Sequence, residues 1–349
     1  MPQKILLVQL RQLGDIILTT PSLREMKKLW PDATIDFLCH PMGKLILQDN
    51  PYVNSILTYD LDASWMEQLR FVQNLRARGY DLVLDFMYNP RSAFYSRATG
   101  APKRLAFPSR RAFLYTDIVP QNPEVEYIVR EKFRYLEYLG LKPTDLTLDL
   151  PWDETHLKAI KQLIETHVHF RDAPVRAVIS CTHRREERQW PVERYAEIAD
   201  RLVREKNATV VWIWGPGEED FVKHAMTHCK EPMLLSPATA FRELAAILAN
   251  CDFFIGNSNG PSHVAVANSG SSLQLHGTTY ARGWCPDNER HRSIQAGAGM
   301  PGGLGPINLI PSADVWHALD VMWPVVIKVA AKRRMSGMKL NWTQRDRND

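Results

Sequence analysis

Short apolar runs alternate with helical patterns along nearly the whole chain. In the first half, five runs predict strands at residues 4–9, 34–38, 55–59, 82–85 and 104–107. Helical patterns separate them, with predicted helices at residues 16–29, 65–78 and 124–139. Strands that alternate with helices in this way are typical of a parallel sheet with crossover helices.

The second half repeats the alternation. Strands are predicted at residues 175–181, 210–214, 253–256 and 273–276, and helices at residues 192–204, 241–249 and 313–329. The helix at 192–204 carries its apolar residues on one face at helical spacing. Pro324 is expected to kink the last helix, because proline removes a helical hydrogen bond.

The length and the repeated pattern together predict two domains. A chain of 349 residues exceeds the size at which one core usually stops growing. We expect two tandem Rossmann-like, doubly wound α/β domains at residues 1–165 and 166–325, followed by a helix end and a basic tail at 326–349. A linker is expected to begin at residues 150–152. Such domains bind ligands at the carboxyl ends of their strands, so the cleft between them is the expected active site.

The composition is that of an ordinary globular protein, with 45% hydrophobic and 23% charged residues. The chain has 43 lysines and arginines against 39 acidic residues, which gives a net charge of +4. This is too mild for a nucleic-acid-binding protein but suits an enzyme with phosphorylated or acidic substrates. Much of the basic excess is clustered, at Arg91, Arg97, Lys103, Arg104, Arg110 and Arg111.

The sequence predicts a soluble, cytoplasmic protein. Its five scattered cysteines include no C-x-x-C pair, which favours reduced thiols over a disulfide framework or a zinc ribbon. The N-terminus turns polar too early for a signal peptide, and no apolar run approaches the length of a membrane span. Peripheral contact with the cytoplasmic face of the inner membrane stays compatible with these features, and the basic tail at 332–347 is one candidate for it.

The loop after the first predicted strand holds a candidate general base. Gly14 is expected to allow a tight turn, which places Asp15 at or near the N-terminus of the next helix. The positive end of the helix dipole would keep this carboxylate ionised, and an ionised carboxylate can accept a proton from an attacking hydroxyl. Aspartate is also a common helix N-cap without any catalytic role, so spacing alone leaves both interpretations open. The loop lacks G-x-G-x-x-G, which argues against a dinucleotide cofactor.

Three loops of the second half each follow a predicted strand and offer groups for a nucleotide diphosphate. Residues 256–263 open a helix, so their backbone N–H groups form a potential anion site, to which Ser258 and Asn259 add side-chain donors. Residues 182–191 offer hydroxyl, imidazole and guanidinium groups. In residues 214–220 the glycines permit close approach of a nucleoside, and Glu218 or Glu219 can accept hydrogen bonds from ribose hydroxyls. An ordinary capped turn or solvated loop is the alternative for each.

Two clusters of side chains are candidate metal ligands, but neither favours a metal site. His224 and His228 share a helix face beside Cys229, but no adjacent glutamate or third ligand is apparent. The segment Asp60-Leu61-Asp62 resembles the paired carboxylates that hold a metal against a nucleotide diphosphate. It belongs to the first half of the chain, however, whereas the phosphate-binding candidates belong to the second.

Five motifs in order make the sequence resemble the bacterial ADP-heptose lipopolysaccharide heptosyltransferases. They are Gly14-Asp15, Arg-Gln-Trp-Pro at 188–191, Trp-Gly-Pro-Gly-Glu-Glu at 214–219, the loop at 256–263 and His-Gly-Thr-Thr at 276–279. Their order and spacing agree over residues 4 to 325. Each motif is weak alone, but the five together are specific to the family.

The resemblance implies an inverting, metal-independent transferase of the two-Rossmann (GT-B) fold that needs no cofactor. It would move heptose from ADP-heptose to the inner core of lipopolysaccharide, with the acceptor on the first domain and the nucleotide sugar on the second. Asp15 would be the general base, and Arg11 and Arg91 would contact acidic groups of the acceptor. The donor-binding residues that it implies are Arg188, Glu218, Ser258, Asn259, Gly260 and His263. The loops at 182–191 and 214–220 add Thr182, His183, Trp214 and Gly215 as candidate donor-binding residues.

One loop departs from the family pattern, which places Asp and then Thr or Ser where this chain has Ser258 and Asn259. Phosphate binding is still expected because both side chains can donate hydrogen bonds, but the donor sugar stays open. Gly277-Thr278-Thr279 likewise replaces the more usual Gly-Pro-Thr. The alternatives are a transferase using another nucleotide sugar, a non-catalytic binding protein on the same fold, and a nucleotide-sugar epimerase of the same architecture. No nucleic-acid partner is expected.

Overall fold

The computed structural model describes residues 2–60, 62–268 and 270–342. Leu61 of the Asp60-Leu61-Asp62 segment and residues 343–347 of the predicted basic tail lie outside the described residues. The chain separates into two compact units, Met1–Leu150 and Pro151–Asp349. In the described parts of the chain, no helix combines the length and the apolarity that a membrane crossing requires.

Unit one contains a parallel sheet of six strands. The strands are β1 (Lys4–Val8), β2 (Thr34–Cys39), β3 (Ser55–Thr58), β4 (Leu82–Asp85), β5 (Lys103–Ala106) and β6 (Asp117–Ile118). They lie in the order β3-β2-β1-β4-β5-β6, and every neighbouring pair is parallel. The central strands are apolar because helices cover both faces, and Ile5 to Val8 are fully buried. The pattern missed β6, because its two residues are too short a run to predict a strand.

The helices of unit one are α1 (Leu13–Ile17), α2 (Thr20–Leu29), α3 (Lys44–Leu47), α4 (Trp65–Ala77), α5 (Pro90–Ala98) and α6 (Ile128–Tyr138). Short 3-10 helices lie at Pro41–Gly43 and Ala112–Leu114. Two predictions were wrong in detail. The single helix expected at 16–29 is interrupted between α1 and α2, and the helix expected from residue 124 begins at Ile128. Residues 124 and 125 are exposed, so they gain little from packing by becoming helical.

Unit two contains a second parallel sheet of six strands. They are β7 (Val175–Ser180), β8 (Ala208–Trp212), β9 (Leu234–Leu235), β10 (Phe253–Asn257), β11 (Ser272–His276) and β12 (His291–Gln295). Their order is β12-β11-β10-β7-β8-β9, again with parallel neighbours. Strand β9 was not predicted because it has only two residues, and β12 was not predicted because it is mostly polar.

The helices of unit two are α7 (Lys158–Thr166), α8 (Val168–Arg171), α9 (Val192–Lys206), α10 (Glu219–Met226), α11 (Phe241–Ala249), α12 (Gly260–Asn268), α13 (Ala281–Trp284) and α14 (Ser312–Ser336). Short 3-10 helices lie at Glu154–His156, Glu186–Arg188, Pro301–Gly303 and Ile307–Leu309. A core of strand and helix side chains around Trp190, Tyr195 and Trp212 holds one face of the sheet against α9 and α14. Helix α14 contains Pro324 and continues past it, so the kink stays a prediction.

The predicted fold class of two tandem, doubly wound Rossmann-like domains is confirmed. In each sheet the strand order reverses at one place, between β1 and β4 in unit one and between β7 and β10 in unit two. Two loops leave the sheet in opposite directions at such a point, which opens a crevice at the carboxyl ends of the strands. These two crevices are where each unit can hold a ligand.

Candidate functional site

In unit one, the crevice at the carboxyl ends of β1 and β4 contains Asp15. The chain enters α1 at Leu13 with Gln12 as its N-cap, and Asp15 is the third residue of that helix. Gly14 lies inside the first turn, so the tight turn expected at Gly14 was wrong. The Gln12 backbone N–H donates to the Asp15 carboxylate over 2.8 Å, which fixes the direction of the side chain. Asp15 therefore serves as a capping residue, and its position at the switch point also suits a base.

Burial raises the pKa of the Asp15 carboxyl above its ordinary value, against the opposing effects of the Lys132 charge and the Gln12 N–H. The expectation that this carboxylate is ionised stays a prediction. A raised pKa makes the carboxylate a better proton acceptor near neutral pH.

Lys132 on α6 is a partner of Asp15 that the sequence analysis missed. Its side chain is only 3% exposed. The Nζ group donates to the backbone oxygen of Asp15 over 2.8 Å, to the side-chain oxygen of Gln9 over 3.2 Å and to the hydroxyl of Thr19. Burial lowers its pKa to about 8, and the Asp15 charge opposes that shift.

A signal for Lys132 was present in the sequence. Val129, Lys132, Phe133 and Leu136 follow the spacing of one helix face, and all four are buried in α6. A charged residue at a buried position of an amphipathic helix requires polar partners inside the protein. Lys132 therefore links α6 by hydrogen bonds to the segment that carries Asp15, the candidate base.

Asp85 shapes the second wall of the unit-one crevice. It ends β4 and is fully buried, and its carboxylate accepts hydrogen bonds from the Tyr115 hydroxyl at 2.6 Å and from the backbone N–H groups of Met87 and Tyr88, each at 2.9 Å. Burial raises the pKa of Asp85. These bonds fix the turn that leads into α5, whose N-cap is Asn89.

The two predicted acceptor-binding arginines both lie at this edge of the sheet. Arg11 follows β1 and Arg91 is in the first turn of α5 after β4, and both side chains are exposed. The Arg91 guanidinium lies 5.5 Å from the centre of the Tyr59 ring, where the cation contacts the aromatic face. Because β1 and β4 are neighbours, the loops that carry the two arginines leave the same part of the sheet.

In unit two, the crevice at the carboxyl ends of β7 and β10 is held together by Asn257. This last residue of β10 is fully buried. Its amide nitrogen donates to the backbone oxygens of Cys181 and Thr182, over 2.9 and 3.3 Å. Its amide oxygen accepts from the backbone N–H of Trp190 and from the Tyr195 hydroxyl, both at 3.0 Å. The sequence analysis did not select Asn257, although a polar residue at the end of a buried strand marked it.

The predicted donor residues of the loops after β7 and β10 come together here. The Asn259 side-chain amide donates to the Thr182 backbone oxygen over 2.8 Å. A ring nitrogen of His183 lies 3.2 Å from the backbone oxygen of Ser258. Asn259 also caps α12 through the N–H of Ser262. One amide hydrogen of Asn259 is thus used within the protein, and its role as a phosphate donor stays a prediction.

Arg188 lies at the end of the 3-10 helix Glu186–Arg188, before the fully buried Trp190. Its Nε atom is buried and has no hydrogen-bond partner among the described residues. The positive charge of Arg188 reaches His183, since it contributes to lowering the pKa of that imidazole below its usual value, after burial as the largest cause. A buried N–H without a partner is costly, so an anionic group bound at this loop would satisfy it.

The loop after β8 brings Trp214, Gly215 and Glu218 together. The Gly215 N–H donates to the Glu218 carboxylate over 2.9 Å, and a Cβ atom at residue 215 would lie only 3.0 Å from that carboxylate. Gly217 has a φ of +82°, which favours glycine. The Trp214 indole N–H donates to the Ser236 oxygen over 2.9 Å. The tryptophan is therefore held in place by its nitrogen, and its ring can serve as a wall for a base or sugar.

His263 and Gly260 belong to α12, with Gly260 as its first residue and His263 in the first turn. His263 is 5% exposed, and its ring centre lies 6.1 Å from that of Trp284. His276 at the end of β11 is fully buried, and burial together with the nearby His263 lowers its pKa to about 3. Both ring nitrogens of His276 lack hydrogen-bond partners among the described residues. A neutral, buried imidazole thus lies near His263, one of the predicted donor-binding residues.

The metal candidates are not supported by a cluster of ligands. In the described parts of the chain, no group of three or more His, Cys, Asp or Glu side chains is arranged to hold a metal ion. The rings of His224 and His228 stand 5.5 Å apart and edge to face. The Asp60 carboxylate accepts the backbone N–H of Asp62 at 2.9 Å, which is a local turn contact.

Comparison with known proteins agrees with this geometry. Glycosyltransferase family 9 (heptosyltransferase) matches residues 68–300, well over half of the chain. The chain is 26% identical to lipopolysaccharide heptosyltransferase 3 of Escherichia coli K12 over 346 residues, covering 90% of this chain and 96% of that protein.

Solved structures share the fold. The family 9 glycosyltransferase of Veillonella parvula superposes with a TM-score of 0.76 at 19% identity, covering 92% of this chain and 97% of that one. A heptosyltransferase of Escherichia coli with ADP-2-deoxy-2-fluoro heptose gives a TM-score of 0.68 at 19% identity, covering 91% and 99%. The match of the family over two thirds of the residues, together with the two doubly wound units, means that this chain belongs to glycosyltransferase family 9, the heptosyltransferase family.

Proposed function

We propose that this glycosyltransferase moves heptose from ADP-heptose to the inner core of lipopolysaccharide, with inversion and without a metal ion, and that Asp15 is the general base. The observation that carries the assignment of the base is the setting of Asp15. Its carboxylate is directed by the Gln12 N–H at 2.8 Å, its backbone is held by Lys132, and its pKa is raised by burial. A fixed carboxylate of raised pKa at a switch point is what general-base catalysis needs.

The proposed reaction is a single displacement. The acceptor hydroxyl transfers its proton to the Asp15 carboxylate while its oxygen bonds to the anomeric carbon of the sugar. The bond from that carbon to the phosphate oxygen breaks, and the bonding electron pair leaves with ADP. Attack from the face opposite the leaving group inverts the configuration of the anomeric carbon.

The leaving diphosphate would be stabilised by fixed donors of unit two. The strongest single support for this diphosphate site is the buried Nε of Arg188, which has no hydrogen-bond partner among the described residues. The N-terminus of α12 at Gly260 adds backbone N–H groups. Thr182, His183 and Ser258 complete this part of the proposed site. Because arginine and backbone dipoles supply the positive potential, the chemistry requires no metal ion.

The nucleoside would lie along the loop after β8. Glu218 keeps one carboxylate oxygen on Gly215, and the other can accept a hydrogen bond from a ribose hydroxyl. ADP is supported as the nucleotide by the relative that was solved with an ADP-heptose analogue. The acceptor would use Arg11 and Arg91 at the unit-one crevice, at the cytoplasmic face of the inner membrane.

A different nucleotide sugar is the second candidate, and the pair Ser258-Asn259 favours it. Asn259 donates to Thr182 and caps α12, so the loop presents no carboxylate to the sugar. Titration calorimetry with ADP, UDP and GDP separates the candidates. Preference for ADP supports the main proposal, preference for UDP or GDP supports the second, and no binding of any of the three contradicts both.

Replacing Asp15 by Asn tests the general base. The Asp15→Asn variant should lose about 10²- to 10⁴-fold in kcat, because the amide cannot accept the proton, while its affinity for ADP stays near that of the wild type. Transfer from ADP-heptose to a core acceptor is the assay, and Asp62→Asn, an exposed aspartate of the same unit, is the matched control. If Asp15→Asn turned over at the wild-type rate, Asp15 would not be the general base.

A further inference from the structure

Three neighbouring elements of unit one display aromatic and arginine side chains together. Helix α5 contacts both α4 and the 3-10 helix Ala112–Leu114. We call their outer surface the aromatic–arginine face. It consists of Trp65, Leu69, Arg70, Arg91, Phe94, Arg97, Arg110, Arg111 and Phe113.

The apolar side chains of this face are unusually exposed. Phe113 is 81% exposed, Trp65 75% and Phe94 56%. Burying an aromatic side chain is favourable, so three aromatic rings left in water on neighbouring elements leave apolar surface available for a partner. Clustered exposed apolar residues of this kind mark an interaction surface.

The exposure is built into the fold. The Tyr115 hydroxyl donates to buried Asp85 at 2.6 Å, and the Arg104 Nε donates to the Leu114 backbone oxygen at 3.2 Å. Leu114 packs on the cluster of Ala93, Ala106 and Tyr115. These contacts anchor the two residues that follow Phe113, whose own side chain is left exposed.

The charge of the face is strongly positive. On the exposed side of α5, Arg91, Phe94 and Arg97 follow one another at successive helical turns, and α5 contains no acidic residue. Arg110 and Arg111 shortly precede Phe113, in a segment, residues 107–115, that also has no acidic residue. On α4 the acidic residue is Glu67, and its carboxylate is used to cap the helix at Ser64.

We propose that the aromatic–arginine face docks on an anionic lipid surface. Aromatic rings favour the headgroup level of a bilayer, and arginines are attracted to an anionic leaflet. Apolar burial and basic charge are the two signals that peripheral binding generally combines. The proposal rests on the proposed function, because it places the lipid of a lipopolysaccharide acceptor beside the crevice that binds its core.

The position of the face supports this occupant. Helix α5 leaves the carboxyl end of β4, and the 3-10 helix Ala112–Leu114 follows β5 at the same edge of the sheet. Asp15 follows β1, the other neighbour of β4. A membrane held at this edge would present its bound acceptor to the loop of the candidate base.

Flotation with lipid vesicles tests the proposal. Full-length protein is mixed with phosphatidylcholine vesicles that either contain or lack phosphatidylglycerol. The wild type should float with the anionic vesicles only, and added salt should release it, because screening weakens contacts with the lipid phosphates. The double variant Phe94→Ser/Phe113→Ser should bind these vesicles at least about tenfold more weakly. Val168→Ser, an exposed apolar residue of unit two, is the matched control.

Transfer assays separate this proposal from the proposed function. With a short, lipid-free core acceptor the double variant should keep wild-type kcat and KM, whereas with acceptor embedded in anionic vesicles its KM should rise about tenfold. Failure of the wild type to bind anionic vesicles, or equal binding by the double variant, would overturn the docking face while leaving transfer intact. Absence of transfer with both acceptors would overturn the function instead.

Discussion

Replacing Lys132 by Met removes a buried charge and keeps most of the side-chain volume. The lysine Nζ bonds to Gln9, Asp15 and Thr19 inside unit one. Its pKa is about 8 in the folded protein, against an ordinary value of 10.5. Between these two values the unfolded chain holds the proton and the folded chain does not.

The sign and size of the effect follow from this difference. Where the unfolded state binds more protons, the free energy of unfolding rises with pH. The difference between 10.5 and about 8 corresponds to about 3 kcal/mol in total, most of which appears between about pH 7 and about pH 10. Below pH 8 the wild type carries a charged, poorly hydrated lysine, and this cost diminishes as the pH rises.

Urea unfolding at both pH values, followed by circular dichroism, provides the assay. The stability of the wild type minus that of Lys132→Met should increase by about 2 to 3 kcal/mol from about pH 7 to about pH 10. Subtracting the variant removes titrations that both proteins share. Lys328→Met, at an exposed position of α14, controls for loss of a lysine without buried contacts. A stability difference between the two proteins that stays constant with pH would refute the lowered pKa of Lys132.

Three further changes test the two crevices. In Lys132→Met the acidic limb of the kcat–pH profile should move to higher pH, because the lysine charge lowers the pKa of Asp15. An acidic limb at the same pH as in the wild type would mean that the Lys132 charge does not affect Asp15. Arg188→Met should weaken ADP binding about tenfold or more in calorimetry, since a charged donor to the diphosphate is lost; unchanged affinity would place the phosphates elsewhere. Asn257→Ala should lower the free energy of unfolding of unit two by about 2 to 4 kcal/mol in chemical denaturation, because four buried hydrogen bonds are lost, and a loss below about 1 kcal/mol would contradict its linking role.

The sequence by itself determined the fold class and the loops that carry the chemistry. Alternating apolar runs and amphipathic helices specify parallel sheets, because strands covered on both faces must be apolar throughout, as Val210, Val211 and Trp212 are. The segments that follow β1, β7, β8 and β10 stood out by their polar and glycine residues. Short or polar strands such as β6, β9 and β12 escaped prediction, since pairing with a neighbour rather than an apolar pattern makes them strands.

Only the tertiary structure decided how the candidate residues are held and how they are charged. Lys132 lies 117 positions from Asp15 in the chain, and only the packing of α6 brings its Nζ to the Asp15 backbone. The sequence suggested an ionised carboxylate at a helix N-terminus, and only the packing around Asp15 determines that burial raises its pKa. Asn257 likewise gains its role from loops that start at β7, 75 residues earlier. Desolvation and contacts between distant segments depend on packing, so local sequence patterns carry little information about them.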